Sequence, residues 1–295
     1  MNNPAKDGLE YQGLPIFYEQ FNQQSSRFDS ELDQIVKQYA LATRTIHGFC
    51  NLSASETDFQ VSSDNLRESI VASTSQSISR QRTIVCGLSQ AVFGSPCASL
   101  FQIADYINRN NLRIYSAEAN SAFFLHLKRY IQPNLFSYSE FFGADYTSGD
   151  MVNGVMHQDL QCTSFAPESF DLVITSEVFE HIPDAIAAER EVIRILKTRG
   201  IYCFTVPFLP YHDNDIVLAE LDGAGSIRYL AEPQYHGDPV RPDEGILVYR
   251  LFSSNDLKER FESLDCSFVT YRFWSKPLGI LDNNAWVHVV KKGVG

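Results

Sequence analysis

The 295-residue sequence lacks the long apolar run that a membrane span requires. No stretch approaches the roughly 20 consecutive apolar residues needed to cross a bilayer. Its first residues, MNNPAKDGLEYQG, also lack the basic segment followed by an apolar one that marks a secretory signal peptide. We therefore expect a cytoplasmic, soluble protein that does not associate with membranes.

Basic residues are scarce and never clustered. The chain has 24 Lys and Arg residues against 36 Asp and Glu, which gives a formal net charge of −12. A surface with this balance has little attraction for a phosphate backbone or an anionic lipid layer. The composition argues against general nucleic-acid binding.

Closely spaced cysteines are also missing. Six cysteines stand at positions 50, 86, 97, 162, 203 and 266, and no two lie within ten residues of each other. In a chain without an export signal, such scattered cysteines are typical of reduced core thiols rather than of a disulfide framework.

The apolar residues that are present follow an alternating pattern. Hydrophobic residues make up 44% of the chain, enough for a large core. From residue 112 onward, short apolar runs alternate with helical periodicity, which predicts an α/β fold with a parallel sheet. The predicted strands are 112–116, 135–139, 154–157, 170–175 and 201–206, and the predicted helices are 120–131 and 183–197.

We predict two domains. Residues 1–110 form an N-terminal extension with a loose polar arm at 1–25, an amphipathic helix at 27–43, and helices over 82–110 interrupted at Gly94-Ser95-Pro96. Residues 111–295 form the sheet domain, with an irregular insertion at 209–250. A helix at 254–264 and strands at 268–273 and 286–290 end it, and the last two strands, with no helix between them, would pair antiparallel.

Acidic residues follow the first four predicted strands at Glu118, Glu140, Asp159 and Glu177. The carboxyl ends of parallel strands form the ligand-binding edge of such a sheet. Glu140 lies 22 residues after Glu118, close to the ~20-residue offset at which a carboxylate accepts ribose hydroxyls. Strand ends are also polar simply because they meet water, but four carboxylates in matching positions favour a nucleoside site. Asp159 could accept from an adenine amino group near the Leu160 amide, and Phe141 could pack on the base.

Three blocks of the chain resemble class I S-adenosylmethionine-dependent methyltransferases of the type 11 kind. They are SFDLVITSEVFEHIPD at 169–184, EVIRILKTRG at 191–200 and FTVPF at 204–208. The resemblance implies a Rossmann-like sheet of seven mostly parallel strands with an antiparallel last strand and helices on both faces, and S-adenosylmethionine as cofactor. It implies cofactor binding by Glu118, Ala119, Ser121, Glu140, Phe141, Asp159, Leu160, Ser176 and Glu177.

The first loop departs from the family pattern. The family carries glycines there, whereas this chain has Glu118-Ala119-Asn120-Ser121-Ala122. Glycine permits positive φ and close backbone approach to a ligand. The resemblance assigns Glu118 to the α-ammonium group of the cofactor, but the loop leaves open a catalytically inactive scaffold subunit. A nicotinamide dehydrogenase is disfavoured because no GxGxxG motif follows the first strand.

The resemblance also implies where an acceptor would bind. Candidate general bases are His181, His212 and His236, and candidate acceptor contacts are Tyr211, Tyr235 and Asp238. Aromatic residues near these positions favour a small, natural-product-like molecule or a peptide as acceptor, with O-methylation preferred.

A metal is the less favoured alternative at this site. Glu177, Glu180 and His181 are spaced i, i+3, i+4 and would share one face of a helix. With a later histidine, His212 or His236, this pattern looks like the metal site of small-RNA 2′-O-methyltransferases and of some ubiquinone-pathway O-methyltransferases. In metal-free relatives the same Glu and His fix the loop, and we expect no metal.

The N-terminal extension resembles a zinc ribbon found before related methyltransferases. Of the four ligand positions in its CxxC pattern, Cys50 remains, while Ser53, Ala72 and Ser75 occupy the others. Zinc needs about four thiolate or imidazole ligands. We expect no zinc, and we expect this segment to act as a lid over the cofactor or as the surface of a homodimer.

Overall fold

The structure is a computed structural model that describes residues 17–21, 37, 42–66, 69–237 and 245–293. No helix among the described residues has the length and apolar character to cross a bilayer. The helices are α1 Ser79–Phe93, α2 Leu100–Arg109, α3 Ala122–Tyr130, α4 Ala185–Ile195 and α5 Ser254–Ser263. The strands are β1 Phe17–Gln20, β2 Arg44–Cys50, β3 Ser55–Val61, β4 Ile114–Ser116, β5 Phe136–Glu140, β6 Met151–Val152, β7 Val155–His157, β8 Phe170–Ser176, β9 Leu196–Thr205, β10 Phe208–Leu209, β11 Ile216–Val217, β12 Ala219–Leu221, β13 Ile227–Tyr229, β14 Tyr235–His236, β15 Ile246–Leu247, β16 Arg250–Ser253, β17 Cys266–Trp274 and β18 Trp286–Lys292.

The chain divides into two compact units. The first comprises residues 1–111, 122–132 and 269–289, and the second comprises 112–121, 133–268 and 290–295. Strands β17 and β18 each contribute residues to both units.

The second unit is built on a mostly parallel sheet, which confirms the predicted α/β fold class. Its strands run in the order β9-β8-β4-β5-β7-β6, and every neighbouring pair from β9 to β7 is parallel. The short strand β6 adds an antiparallel edge that the sequence did not predict. Because β4 lies between β5 and β8, the strand order reverses at β4, and the topological switch point falls at its carboxyl end.

The central strands of the sheet are buried on both faces, which explains why their sequences are continuous apolar runs. In β8, Leu172, Val173 and Ile174 are buried. Asp184 caps the N-terminus of helix α4: its side chain accepts a hydrogen bond from the Ala187 N–H at 2.9 Å and so satisfies one of the free amides of the first turn. The core of this unit therefore supports the sheet edge at which the acidic residues stand.

The insertion at 209–250 is more ordered than the sequence indicated. It contains the antiparallel pairs β12–β13 and β14–β15, and β11 pairs antiparallel with β16. Sequence periodicity misses these strands because they are only two or three residues long.

A buried ion network anchors this insertion. One Asp215 carboxylate oxygen accepts from Arg250 at 3.1 Å and from Arg260 at 2.9 Å, and the other accepts from the Ser253 N–H at 2.7 Å. Arg260 also donates to Glu189 of α4 at 2.8 Å. The network ties the start of the insertion to β16, α4 and α5.

The first unit contains the β2–β3 hairpin and the helices α1 and α2, which confirms the break predicted near Gly94. The prediction of a loose arm over 1–25 is wrong for β1, which pairs antiparallel with β17 from Phe17–Trp274 to Gln20–Tyr271. Four residues are too few to produce a periodic signal. The predicted helix at 27–43 lies outside the described residues except at Lys37 and at positions 42 and 43.

A single buried guanidinium links three segments of the first unit. Arg82 donates to the backbone carbonyls of Ile70 at 2.8 Å, Leu278 at 2.8 Å and Gly279 at 2.9 Å. Its Cζ atom also lies 4.8 Å from the centre of the Phe59 ring, within cation–π range. Burial lowers the pKa of Arg82 to about 10, so the side chain stays charged at neutral pH.

The segment that resembles a zinc ribbon presents hydroxyl groups to Cys50. The Sγ atom of Cys50 lies 3.2 Å from the Ser75 Oγ and 3.4 Å from the Ser77 Oγ. Hydroxyls are poor substitutes for thiolate ligands. Arg67 and Glu68, part of the same resemblance, lie outside the described residues.

The ion network predicts how much stability the protein loses when the contacts that anchor the insertion are removed. Replacing Asp215 by Ala should lower the free energy of unfolding by about 3 kcal/mol. This is the lower end of the range for breaking a buried ion pair, because Glu189 still pairs with Arg260 in the variant. Urea unfolding of the full chain measures this change. Asp213→Ala, two residues away at an exposed position, should cost under about 0.5 kcal/mol. Equal losses in the two variants would contradict the assignment.

Candidate functional site

A pocket opens at the carboxyl ends of β4, β5, β7 and β8, within the second unit. All but one of the predicted cofactor residues line it; Ala119 does not. The sequence did not single out several other lining residues, among them Ser139, Gln158, Gln161, Val178, Ile182, Pro183, Gly237 and Ile246. The pocket thus coincides with the topological switch point, where ligands bind in open α/β sheets.

Glu118 brings an incompletely satisfied carboxylate to the pocket. Its Oε1 atom is shielded from water and accepts no hydrogen bond from any described residue. Burial raises the pKa of Glu118 to about 7, the charge of Glu140 adds to this, and a hydrogen bond from Ser121 opposes it. A shielded carboxylate oxygen without a donor is suited to a cationic or N–H-bearing ligand group.

Glu140 holds the first loop in place. Its Oε2 accepts from the Ala119 N–H at 3.2 Å and from the Asn120 side-chain amide at 3.1 Å, while its Oε1 accepts from the Phe141 N–H at 3.3 Å. No residue of the loop, which is described throughout, has a positive φ. The absence of glycine is therefore compatible with this backbone path. Glu140 thus accepts three hydrogen bonds from residues 119–141 of the chain itself.

The third strand end is organised by a residue that the sequence did not identify. Gln161 donates to Asp159 from its backbone N–H at 2.8 Å and from its side chain at 3.1 Å. The side-chain oxygen of Gln161 in turn accepts from the Asp184 N–H at 3.1 Å. Gln161 thereby fixes the orientation of the Asp159 carboxylate and links it to the start of α4.

An aromatic surface lies beside these carboxylates. Phe141 is 42% exposed, and its ring centre lies 5.2 Å from that of the buried His157. The Nδ1 atom of His157 accepts from the Phe142 N–H at 3.1 Å, which holds the imidazole in place. The exposed side of Phe141 is available to a planar ligand group.

The segment after β8 does not form the α-helix that would place Glu177, Glu180 and His181 on one face. Glu177 has φ of +52°, and its N–H donates to the Thr205 carbonyl at 3.1 Å. The chain then forms one 3-10 turn over Phe179–His181. The expectation that Glu177, Glu180 and His181 share one helical face is wrong because the backbone reverses its twist at Glu177.

The structure instead brings Glu180 and His181 together with His236 of the insertion. Glu180 Oε1 lies 3.6 Å from His181 Nε2 and 3.5 Å from His236 Nδ1. Burial raises the pKa of Glu180, the charge of Glu177 raises it further, and His236 opposes the shift. Of the three, His181 lines the pocket.

The other predicted acceptor residues that the structure describes do not line the pocket. Tyr211 and His212 are exposed after β10, and Tyr235 is exposed on β14 with its hydroxyl 3.4 Å from that of Tyr229. Asp238 lies outside the described residues. From the insertion, the pocket takes Gly237 and Ile246 instead.

Sequence comparison finds a family match over part of the chain. Residues 127–204 match the family model described as a methyltransferase domain. Over these residues the chain is similar to methyltransferase domains. No curated protein matches the chain at a significant level.

Solved structures similar to this chain include two bacterial proteins. The YcgJ protein of Bacillus subtilis has 13% identity, covers 62% of this chain and 93% of its own, and gives a TM-score of 0.38. An S-adenosylmethionine-dependent methyltransferase of Mesorhizobium loti has 13% identity, covers 61% of this chain and 91% of its own, and gives a TM-score of 0.37. At these TM-scores the similarity carries no weight for the site, which rests on the geometry above.

The raised pKa of Glu118 predicts a specific pH dependence of stability. The folded state holds this proton up to a pH of about 7, whereas an unfolded chain releases it near 4.5. Between these values the folded state binds more protons, so this group lowers the free energy of unfolding as pH rises. Glu118→Gln should remove up to about 3 kcal/mol of that decline between pH 4.5 and 8.

Urea unfolding of both proteins at several pH values isolates this effect, because other titrating groups are common to the two. The variant should be more stable than the parent at pH 8, and the two should converge near pH 4.5. Parallel stability curves would show that Glu118 has an ordinary pKa.

Proposed function

We propose that this protein transfers the methyl group of S-adenosylmethionine to a small, natural-product-like molecule or a peptide, with an oxygen atom as the favoured acceptor. The observation that supports this most is the convergence of Glu118, Glu140 and Asp159 on one pocket at the switch point of the sheet. Three carboxylates match the three donor groups of the cofactor, which are its α-ammonium, its ribose hydroxyls and its adenine amino group.

Each of these residues suits one part of the cofactor. The shielded Oε1 atom of Glu118 would accept from the α-ammonium, and Glu140 would accept from the ribose hydroxyls. Asp159 would accept from the adenine amino group near the Leu160 amide, with Phe141 packed on the base. The role of the cofactor is to supply an activated methyl group on a sulfonium.

The chain itself has two tasks in such a reaction. Holding acceptor and methyl group in line can supply about 7–11 kcal/mol of the barrier reduction. When the acceptor is a hydroxyl, its proton must also be taken up, and such assistance contributes roughly 10²–10⁴-fold. The trio of Glu180, His181 and His236 is suited to take up this proton, since His181 lines the pocket.

An inactive scaffold subunit is the second candidate. It is favoured by the glycine-free first loop, which leaves Glu140 hydrogen-bonded to Ala119 and Asn120 of the chain itself. In that case the carboxylate would serve the loop and not a ligand.

Calorimetry with S-adenosylhomocysteine separates the two candidates. We expect micromolar binding, which Glu140→Ala should weaken by about 100-fold or more, because hydrogen bonds to a charged group contribute roughly 1.5–3 kcal/mol each. The control is Glu262→Ala, which removes an exposed carboxylate on α5 and should bind nearly as the parent does. Asn120→Ala, at a residue that also lines the pocket, removes one loop contact but keeps the Glu140 carboxylate.

No detectable binding by the parent would favour the scaffold. Binding lost equally in Asn120→Ala and Glu140→Ala would show that Glu140 acts through the loop rather than on the nucleoside.

A further inference from the structure

The carboxylate of Glu180 is fully buried and unsatisfied. Neither of its oxygens accepts a hydrogen bond within the described part of the chain. From its Oε1 atom, His181 Nε2 lies at 3.6 Å and His236 Nδ1 at 3.5 Å, both beyond normal hydrogen-bond length. A buried charge without bonds is costly, so this arrangement calls for a positive charge between the three side chains.

The orientation of His181 supports the same conclusion. Its Nδ1 atom lies 2.8 Å from the Leu247 carbonyl, which can only accept, so Nδ1 carries a proton. In the neutral imidazole, Nε2 then presents a lone pair, and it faces Glu180. A metal-binding histidine commonly has its other nitrogen fixed by a backbone carbonyl in this way.

The insertion holds all three side chains in position. His236 lies on β14, which pairs with β15 in the register His236–Ile246. The next residue of β15 is Leu247, whose carbonyl fixes His181. The Tyr249 N–H then donates to the Glu180 carbonyl at 2.7 Å. The same short segment therefore positions every member of the trio.

We propose that Glu180, His181 and His236 bind one divalent transition-metal ion. One donor atom from each residue lies within 4.8 Å of the others. Metal–ligand bonds of about 2.1 Å in a tetrahedral site place ligand atoms about 3.4 Å apart. The distances of 3.5 and 3.6 Å from Glu180 Oε1 match that spacing, and the third pair of donor atoms lies within 4.8 Å.

The donor set indicates the class of ion. Two imidazoles and one carboxylate suit Zn²⁺, Co²⁺ or Fe²⁺, whereas Mg²⁺ prefers oxygen ligands throughout. Glu177, predicted from sequence as a ligand, does not belong to the trio, and neither does His212. Three protein ligands leave a four-coordinate ion one position for a water or for an oxygen of a molecule in the pocket.

The site bears on the proposed function but does not depend on it. A metal-bound hydroxyl loses its proton at a much lower pH than a free one, so the ion would promote deprotonation of an oxygen acceptor. An imidazole that coordinates through Nε2 cannot also accept a proton there. With the ion bound, the metal replaces His181 as the group that activates the acceptor.

Titration of the EDTA-treated full-length protein with Co²⁺, followed by visible absorption, tests the proposal. We expect one equivalent to bind with the spectrum of a nitrogen- and oxygen-ligated ion, and Zn²⁺ to displace it. His236→Ala, at a partly exposed position, and Glu180→Gln should each weaken Co²⁺ binding by about 100-fold or more, since even loss of a supporting partner costs 10–100-fold. The controls His212→Ala and Cys50→Ser should bind Co²⁺ as the parent does.

Failure of the EDTA-treated protein to bind Co²⁺ or Zn²⁺ would overturn the proposal, and so would binding that survives both His236→Ala and Glu180→Gln. Loss of binding in Cys50→Ser alone would place the ion at the thiol and would also overturn it. The circular dichroism spectrum of His236→Ala should match that of the parent, which would show that the variant is folded. Because S-adenosylhomocysteine binding is measured separately, failure of metal binding and failure of cofactor binding are distinguishable.

Discussion

Parallel alignment of β4, β5, β7 and β8 is the constraint on which the candidate site depends. Parallel strands end at the same edge of a sheet, so residues far apart in sequence meet there. The reversal of strand order at β4 opens a gap at that edge, and the pocket occupies it. Carboxylates on separate strands can therefore converge although no single loop carries more than one of them.

Glu140 connects the sheet to the first loop. In a glycine-rich loop, backbone freedom allows the chain to approach a ligand. Here the loop has no residue with positive φ. Instead, the Glu140 carboxylate accepts a hydrogen bond from the Ala119 N–H of the loop. Loop geometry and ligand affinity are consequently coupled through one side chain. A ligand that binds Glu140 must share it with Ala119 and Asn120.

The sequence predicted those parts of the structure that repeat or that have strong local signals. Strand β8 was visible because both of its faces are buried, and the acidic strand ends followed from the strand positions. Two-residue strands such as β14 and β15 leave no periodic pattern, so the sequence could not separate His236 from His212. The left-handed turn at Glu177 was equally hidden, since that conformation usually selects glycine or asparagine.

Gln161 shows a different limit of sequence reasoning. An amide that bridges Asp159 and Asp184 has no motif, and its role depends on two strand ends that only the fold brings together. Residues of this kind are found by tracing hydrogen bonds.

Arg82 has a consequence for the environments that the first unit can tolerate. A metal-held ribbon loosens when chelators remove its ion, and a disulfide-held one loosens under reducing conditions. A guanidinium that binds the carbonyls of Ile70, Leu278 and Gly279 responds to neither treatment, and its charge persists throughout the physiological pH range. This cross-link between distant parts of the chain should therefore survive both chelating and reducing agents.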